Sequence, residues 1–314
     1  MRRPLFEQIT LVWMVLSLLT AAAAAQTKPA VRTVTIPISI FTKKELKENQ
    51  AEEYVQADRL IVTEDRDEQQ ILSIRSVSSS PMTIAILIQD DLAGNFNLHI
   101  DDIKKFIRDL PRGTRVMVGY LRAGTVQVRQ KFTEDLERAA NSLRIVVGSP
   151  SIAPRSPYDG VDEVLNRFEA VPAGRRAILL FSDGLDTSQG FNLASISQSF
   201  DLNRATLKAQ RKGVAVYSFY SPTTVTDNGN TTLILASQGA LQKLSDQTGG
   251  RAFFQGSIAP ISYLPFFRDL VLALNRQFAL TYLSTHMNKG YHKVNVESTN
   301  PEIKIDHPKG YYYR

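Results

Sequence analysis

The sequence predicts an α/β protein built on an open, doubly wound, mostly parallel sheet, with a small β-sandwich-like domain formed by both chain ends. Three observations carry this. Continuous apolar runs alternate with helix-period segments over residues 81–275. Strand-period alternation occupies both flanks, 31–80 and 277–314. The 314 residues, 43% of them hydrophobic, contain no cysteine, so the core must hold without disulfides.

At the start of the folded part, Val34, Ile36, Ile38 and Ile40 alternate with polar or small neighbours, the period of a half-buried strand. Residues 60–63 and 71–77 repeat that signal across the turn-forming Glu64-Asp65-Arg66-Asp67. Residues 43–54 are polar and read as a short helix or a loop. The pattern changes at Pro81. Ile84-Ala85-Ile86-Leu87-Ile88 is an unbroken apolar run, as expected of a strand covered on both faces. Ile103, Phe106, Ile107 and Leu110 follow at helical spacing, and Pro111 and Gly113 end that helix. Strands come at 115–121 and 125–131, joined by Arg122-Ala123-Gly124. Helices are predicted at 134–143 and 158–168, a strand at 176–182, a helix at 202–211 and a strand at 214–220. A helix at 235–246 is closed by Gly249-Gly250, followed by a strand at 252–255 and a last helix at 263–274. Strands return at 278–283, 293–297, 303–305 and 311–313. Chain ends usually lie close together, so the two flanks are expected to form one β-domain.

Residues 1–25 read as a signal peptide. Arg2 and Arg3 precede an apolar run over 9–19, and the alanines at 21–25 offer an A-x-A site before Gln26. The apolar stretch, about 17 residues, is at the lower limit for crossing a bilayer, so the alternative is an uncleaved anchor. The expected product is exported, periplasmic or extracellular, with no integral span after cleavage. The absence of cysteine excludes a lipoprotein anchor, a thiolate zinc site, an iron–sulfur cluster and a cysteine nucleophile. The net charge of +6 is spread over many segments. The densest basic stretch, with Lys208, Arg211 and Lys212, falls at a predicted helix C-terminus, where cations favour the dipole. Nucleic acid is not an expected partner.

In an open α/β sheet the ligand crevice lies outside the carboxyl ends of the strands, where the strand order reverses. The side chains delivered there are Gln89-Asp90-Asp91-Leu92-Ala93-Gly94-Asn95, Arg155-Ser156-Pro157-Tyr158-Asp159 and Phe181-Ser182-Asp183-Gly184-Leu185-Asp186. With these residues the chain resembles a von Willebrand factor type A domain, a Rossmann-like fold. More narrowly it resembles the secreted bacterial VWFA-related family of acidobacterial type. Phe181-Ser182-Asp183-Gly184 is similar to that family's fourth-strand signature. The stretch from Leu244-Ser245-Asp246-Gln247-Thr248-Gly249-Gly250 to Arg251-Ala252-Phe253-Phe254 is the most specific likeness. Val62-Thr63-Glu64-Asp65 with Gln69 and Ile71 resembles the strand pair preceding the family's type A domain, and Pro308-Lys309-Gly310-Tyr311-Tyr312 its closing strand. The likeness spans nearly all of 31–314.

The resemblance implies an interaction domain rather than an enzyme, one that binds a divalent cation through a D-x-S-x-S loop, a threonine and an aspartate. The partner often completes the coordination with a carboxylate. This sequence departs from that pattern. If Asp90 leads the loop, the serine positions hold Leu92 and Gly94; if Asp91 leads, they hold Ala93 and Asn95. Arg155 stands at the threonine position, and only a one-residue slip installs Ser156. Asp183 is kept. The candidate metal residues are therefore Asp90, Asp91, Asn95, Ser156 and Asp183, a degenerate set expected to hold magnesium weakly, because hard oxygen donors have been lost. No other cofactor is expected. Arg155 has two readings. It is a solvated loop residue, or its guanidinium pairs with Asp90 or Asp183, stands in for the cation and accepts a partner carboxylate.

Other chemistry is thin. Asp90, Asp91 and Asp183 would suit a metal-dependent hydrolase, but neither a P-loop nor a G-x-S-x-G elbow accompanies them. His99, His286, His292 and His307 lack zinc-motif spacing and are expected at surfaces or turns. Tyr311-Tyr312-Tyr313 is expected to pack a sheet. Residues 221–232 form a long exposed loop on the functional edge. The expected function is non-enzymatic binding of a protein or cell-surface ligand through this edge, with Arg155 and Asp186 facing the partner. The alternatives are the hydrolase, or a structural envelope module with a vestigial site.

Overall fold

The computed structural model describes residues 31–42, 60–77, 80–148, 155–172, 174–188, 190, 199–226, 229–256 and 258–313. The signal peptide at 1–25 and the helix or loop expected at 43–54 lie outside them. Among the described residues no helix is long and apolar enough to cross a membrane.

The middle of the chain forms a six-stranded sheet from β4 (Met82–Gln89), β5 (Arg115–Arg122), β6 (Thr125–Thr133), β7 (Arg175–Ser182), β8 (Ala215–Tyr220) and β9 (Ala252–Phe253). Its order is β6-β5-β4-β7-β8-β9. Every pair is parallel except β5 with β6. β4 is buried throughout, and its alternate side chains serve two cores. Ile84, Ile86 and Ile88 pack with α1 (Ile100–Arg108), α2 (Leu136–Asn141) and α6 (Leu264–Asn275) on one face. Ala85 and Leu87 pack with α3 (Pro157–Arg167), α4 (Phe200–Lys212) and α5 (Thr231–Thr248) on the other. That double burial is why the run shows no polar alternation. α5 begins inside the loop expected over 221–232, because the Asn230 side chain accepts the Leu233 N–H (3.1 Å) and caps it. It ends at Gly249, whose φ of 82° suits a left-handed cap. A Cβ at Gly250 would lie 2.0 Å from the Val216 carbonyl oxygen, so the second glycine lets the chain press against β8.

Both flanks share a second sheet of seven antiparallel strands, in the order β12-β1-β10-β3-β2-β11-β13. It comprises β1 (Arg32–Thr42), β2 (Leu60–Glu64), β3 (Asp67–Ser76), β10 (Gln277–Ser284), β11 (Gly290–Ser298), β12 (Ile303–Asp306) and β13 (Gly310–Tyr313). The expected β-sandwich is corrected here. One sheet curls until its edge strand β12 lies against β11, enclosing Ile36, Ile38, Val62, Leu280, Tyr282 and Val296 within its own curvature. β2 and β3 form a hairpin whose two turn residues, Asp65 (φ 50°) and Arg66 (φ 84°), are both left-handed, as tight hairpins require. The sheets meet where Phe41 of β1 enters the α/β core and Arg251 pairs with Asp306 at 2.7 Å.

Of the histidines expected at surfaces or turns, His99, His286 and His307 lie in turns or connections, but none of the four is exposed. His99, His292 and His307 are buried, and His286 is half-buried. His99 meets Tyr263 edge-on, with ring centroids 5.0 Å apart. His307 joins the curled edge to β11: its Nδ1 donates to the Pro308 carbonyl (2.9 Å) and its Nε2 accepts the Val296 N–H (3.2 Å). A proton on Nε2 would face that N–H. Burial, with Lys309 nearby, accordingly lowers the His307 pKa from 6.5 to about 4. The unfolded chain binds the proton more readily, so this contribution is complete above about pH 6.5 and is lost as pH falls toward 4. Between pH 7 and pH 5 the wild type should lose about 2 kcal/mol from this group. His307→Gln keeps a donor and an acceptor and should show a flatter urea-midpoint profile over that range. Parallel profiles would remove His307 as the cause.

Candidate functional site at the carboxyl edge of the parallel sheet

The strand order reverses between β4 and β7, and the side chains beyond their carboxyl ends converge. Asp183, just past β7, is fully buried. Its Oδ1 accepts the Leu185 N–H (3.0 Å), and its Oδ2 accepts the Thr223 hydroxyl (2.8 Å) and Arg155 Nη2 (3.1 Å). Arg155 is only 6% exposed, and its Nη1 donates to Asp91 Oδ2. The other Asp91 oxygen accepts Gln89 Nε2 (3.0 Å), while Gln89 Oε1 accepts the Ser182 hydroxyl (2.6 Å) and the Asp183 N–H (3.3 Å). A closed ring of hydrogen bonds thus runs through Gln89, Asp91, Arg155 and Asp183.

Local structure fixes the arginine. The Arg155 N–H donates to Thr187 Oγ1 (3.1 Å) and its carbonyl accepts the Thr187 N–H (2.8 Å), so the segment before α3 pairs with the segment after β7. Pro157 then starts α3, where a missing N–H costs nothing. Tyr158 in the first turn donates its hydroxyl to the Gly184 carbonyl (2.8 Å). Burial, then Asp186 and Asp183, push its phenol well above the usual range, so it stays a neutral donor. Burial also pushes the Asp183 carboxyl up, opposed by Arg155, the Leu185 N–H and Thr223, and reinforced by Asp91. An unpaired carboxylate at this depth would be costly, and Arg155 supplies the compensating charge.

Several expected roles are redistributed. Asp90 does not meet Arg155; Arg144 holds it bidentately (2.7 and 3.0 Å) while lying over the Tyr120 ring, 4.1 Å from its centroid. Asn95 is exposed on the 3₁₀ turn Gly94–His99, away from the ring of hydrogen bonds. Ser156 donates to Asp186 Oδ2 (3.1 Å) instead of joining Asp91 or Asp183. Asp186 is buried, its Oδ1 accepting the Ser188 N–H (2.9 Å) and hydroxyl (2.7 Å). Arg155 and Asp186 therefore do not present charge to a partner; both are spent inside the loops. Gln89 was named only as the start of the strand-end stretch, and Arg144, Thr187 and Thr223 were not singled out from the sequence. Thr223 lies just beyond the end of β8, so the strand-end rule reaches it, whereas nothing in the pattern marks Arg144.

These residues do not fit a magnesium site. Leu92 and Gly94 bring no side-chain oxygen, Asn95 lies outside and Ser156 is bound to Asp186. The Asp91 and Asp183 oxygens that face each other hold the Arg155 fork, a permanent cation with planar donors.

No family model matches the chain, and no curated protein does. Among solved structures it is similar to a von Willebrand factor type A protein from Catenulispora acidiphila (10% identity, 83% of this chain and 76% of the other, TM-score 0.44). It is also similar to an aerotolerance-related membrane protein from Bacteroides fragilis (13%, 62% and 98%, TM-score 0.43). A third likeness is to the conserved hypothetical protein BatB from Bacteroides thetaiotaomicron (14%, 62% and 96%, TM-score 0.41).

Arg155→Met should destabilise the protein by about 3–5 kcal/mol in urea unfolding, because two buried carboxylates lose their shared cation. Adding Asp183→Asn should recover a large part of that loss by removing one of the opposed charges. A single-variant loss below about 1 kcal/mol would mean the edge does not depend on this pair.

Proposed function

We propose that the protein is an exported, non-enzymatic binding module of the von Willebrand factor type A kind, recognising a protein or cell-surface partner through the carboxyl edge without a metal. The observation that carries this reading is the apolar rim beside the sealed edge. Leu98, Ile145 and Val147 are 80%, 67% and 66% exposed. They lie on two segments that Asn97 binds together, its amide donating to the Val146 carbonyl (3.2 Å) and accepting the Val146 N–H (2.8 Å). The Val147 N–H donates to the Asp90 carbonyl (3.2 Å), which attaches the rim to the end of β4. Large aliphatic side chains held at such exposure on a tied-down backbone suit a protein partner.

Catalysis is disfavoured by the chemistry of the acids. Asp91 and Asp183 share one guanidinium and Asp90 has another, so all three acids are engaged in ion pairs, and the Thr223 hydroxyl that meets Asp183 is buried with it. The hydrolase reading accordingly predicts turnover that this reading does not: p-nitrophenyl phosphate with Mn²⁺ should be hydrolysed no faster by the wild type than by Asp183→Asn.

The direct test is site-specific photo-crosslinking in the cells that make the protein. A crosslinker at position 98 or 145 should give one discrete adduct, and the same group at Leu72, exposed on the antiparallel sheet, should not. Leu98→Ser/Ile145→Ser should abolish the adduct formed from a probe at Val147 while moving stability by no more than about 0.5 kcal/mol per site. Adducts at Leu72 alone, or none at the edge, would overturn the reading.

A further inference from the structure

Away from the carboxyl edge, the antiparallel sheet gathers Glu64, Asp65, His292 and His286 at one end of β2. Glu64 is the last residue of β2 and fully buried, and Asp65 opens the turn that follows. The register sets Val294 of β11 opposite Glu64, which brings His292 to the same place. His292 Nδ1 lies 2.8 Å from Asp65 Oδ2 and 3.3 Å from Glu64 Oε1. Its other nitrogen, Nε2, is 2.7 Å from the Asn288 carbonyl. A carbonyl can only accept, so Nε2 carries the hydrogen, and in the neutral ring Nδ1 turns a lone pair toward two carboxylates. His286 repeats the arrangement. Its Nε2 sits 3.1 Å from Asp67 Oδ2, while its Nδ1 is 3.8 Å from Glu64 Oε1, buried and without a hydrogen-bond partner. Glu64 Oε2 is also buried without a partner, although Oε1 accepts from Ser284 (2.8 Å) and Tyr311 (2.6 Å).

Such lone pairs should repel unless a cation lies among them. Arg32, 3.6 Å from Glu64 Oε1, offsets one negative charge; Glu64, Asp65 and Asp67 together bring three. The balance left for a further cation is two charges. The donor set also has the form of a ligand shell. Imidazoles oriented by a hydrogen bond from the far nitrogen are the usual state of metal-bound histidine. With bonds of about 2.0–2.1 Å, neighbouring donors of a tetrahedral zinc ion stand roughly 3.3 Å apart. The observed 2.8, 3.3 and 3.8 Å bracket that spacing.

We propose that Glu64, Asp65 and His292, whose donor atoms all lie within 4.8 Å of one another, bind a divalent transition metal of the zinc class, with His286, 3.8 Å from Glu64, turning in to complete the shell and tying the β2–β3 turn to β11 and to the connection before it. Mixed imidazole and carboxylate ligands favour Zn²⁺ or Co²⁺ over Mg²⁺.

The experiment uses the purified full chain after chelator treatment, titrated with Zn²⁺ by calorimetry and with Co²⁺ by visible absorption. One equivalent should bind, with Co²⁺ giving the intense bands of a four- or five-coordinate nitrogen–oxygen site and the melting temperature rising. His292→Ala and, separately, His286→Ala should each weaken binding by about 100-fold or more. The half-buried His286 makes the second variant the safer one for folding, and its metal-free melting temperature should match the wild type. Asp183→Asn should bind Zn²⁺ as the wild type does, which separates this site from the carboxyl edge. No saturable equivalent in the wild type, or affinity unchanged in both histidine variants, would overturn the proposal.

Discussion

The centre of the carboxyl edge is organised around one buried guanidinium. Arg155 stands between Asp91 and Asp183, and through them it connects the ends of β4 and β7, the start of α3 and the turn after β8 that carries Thr223. A buried ion pair is rarely a large net source of stability, since desolvating its members costs about as much as their attraction returns. Its effect here is on uniqueness. Any rearrangement of these loops separates at least one carboxylate from the cation with no water to replace it. The apolar rim at Leu98, Ile145 and Val147 lies beside this network, tied to it through Asn97 and the Asp90 carbonyl.

The parallel sheet was legible because its strands are buried on both faces, which writes an unbroken apolar run into the sequence. The run from Ile84 to Ile88 and the Gly249-Gly250 pair needed no tertiary information. The antiparallel sheet was half legible. Alternation at Val34, Ile36, Ile38 and Ile40 reports that one face is covered, and it carries no word of what covers it. A second sheet and a sheet curled on itself leave the same pattern, so the expected sandwich became a single curled sheet.

The acids of the site were legible and their partners were not. Strand-end aspartates follow from topology, because a doubly wound sheet delivers them to one crevice. Which cation each one meets depends on loop geometry at the scale of a single residue. Counting from Tyr158 left Arg155 and Ser156 competing for one position, and the structure gives the inner place to the arginine and turns the serine to Asp186. Arg144 reaches Asp90 from a stretch without periodicity, so no spacing argument leads to it. The histidines fail for a related reason. Hydrophobic patterning assigns apolar residues to a core but says nothing of a polar ring that finds partners there, as His307 does between Val296 and Pro308.

Two acidic clusters among the described residues meet the same electrostatic problem differently. At the carboxyl edge the compensating charge is covalent to the chain and always present, since a guanidinium does not deprotonate in proteins. The carboxylates of that edge therefore have their partner within the chain itself. In the antiparallel sheet the nearest permanent cation, Arg32, stands 3.6 Å from Glu64 and faces Tyr311 and Tyr313 as well. The remaining charge falls to histidines, which carry it only when protonated or when they share it with an ion. In the antiparallel sheet two imidazoles and three carboxylates meet around one guanidinium, and that difference separates the two sites chemically within one chain.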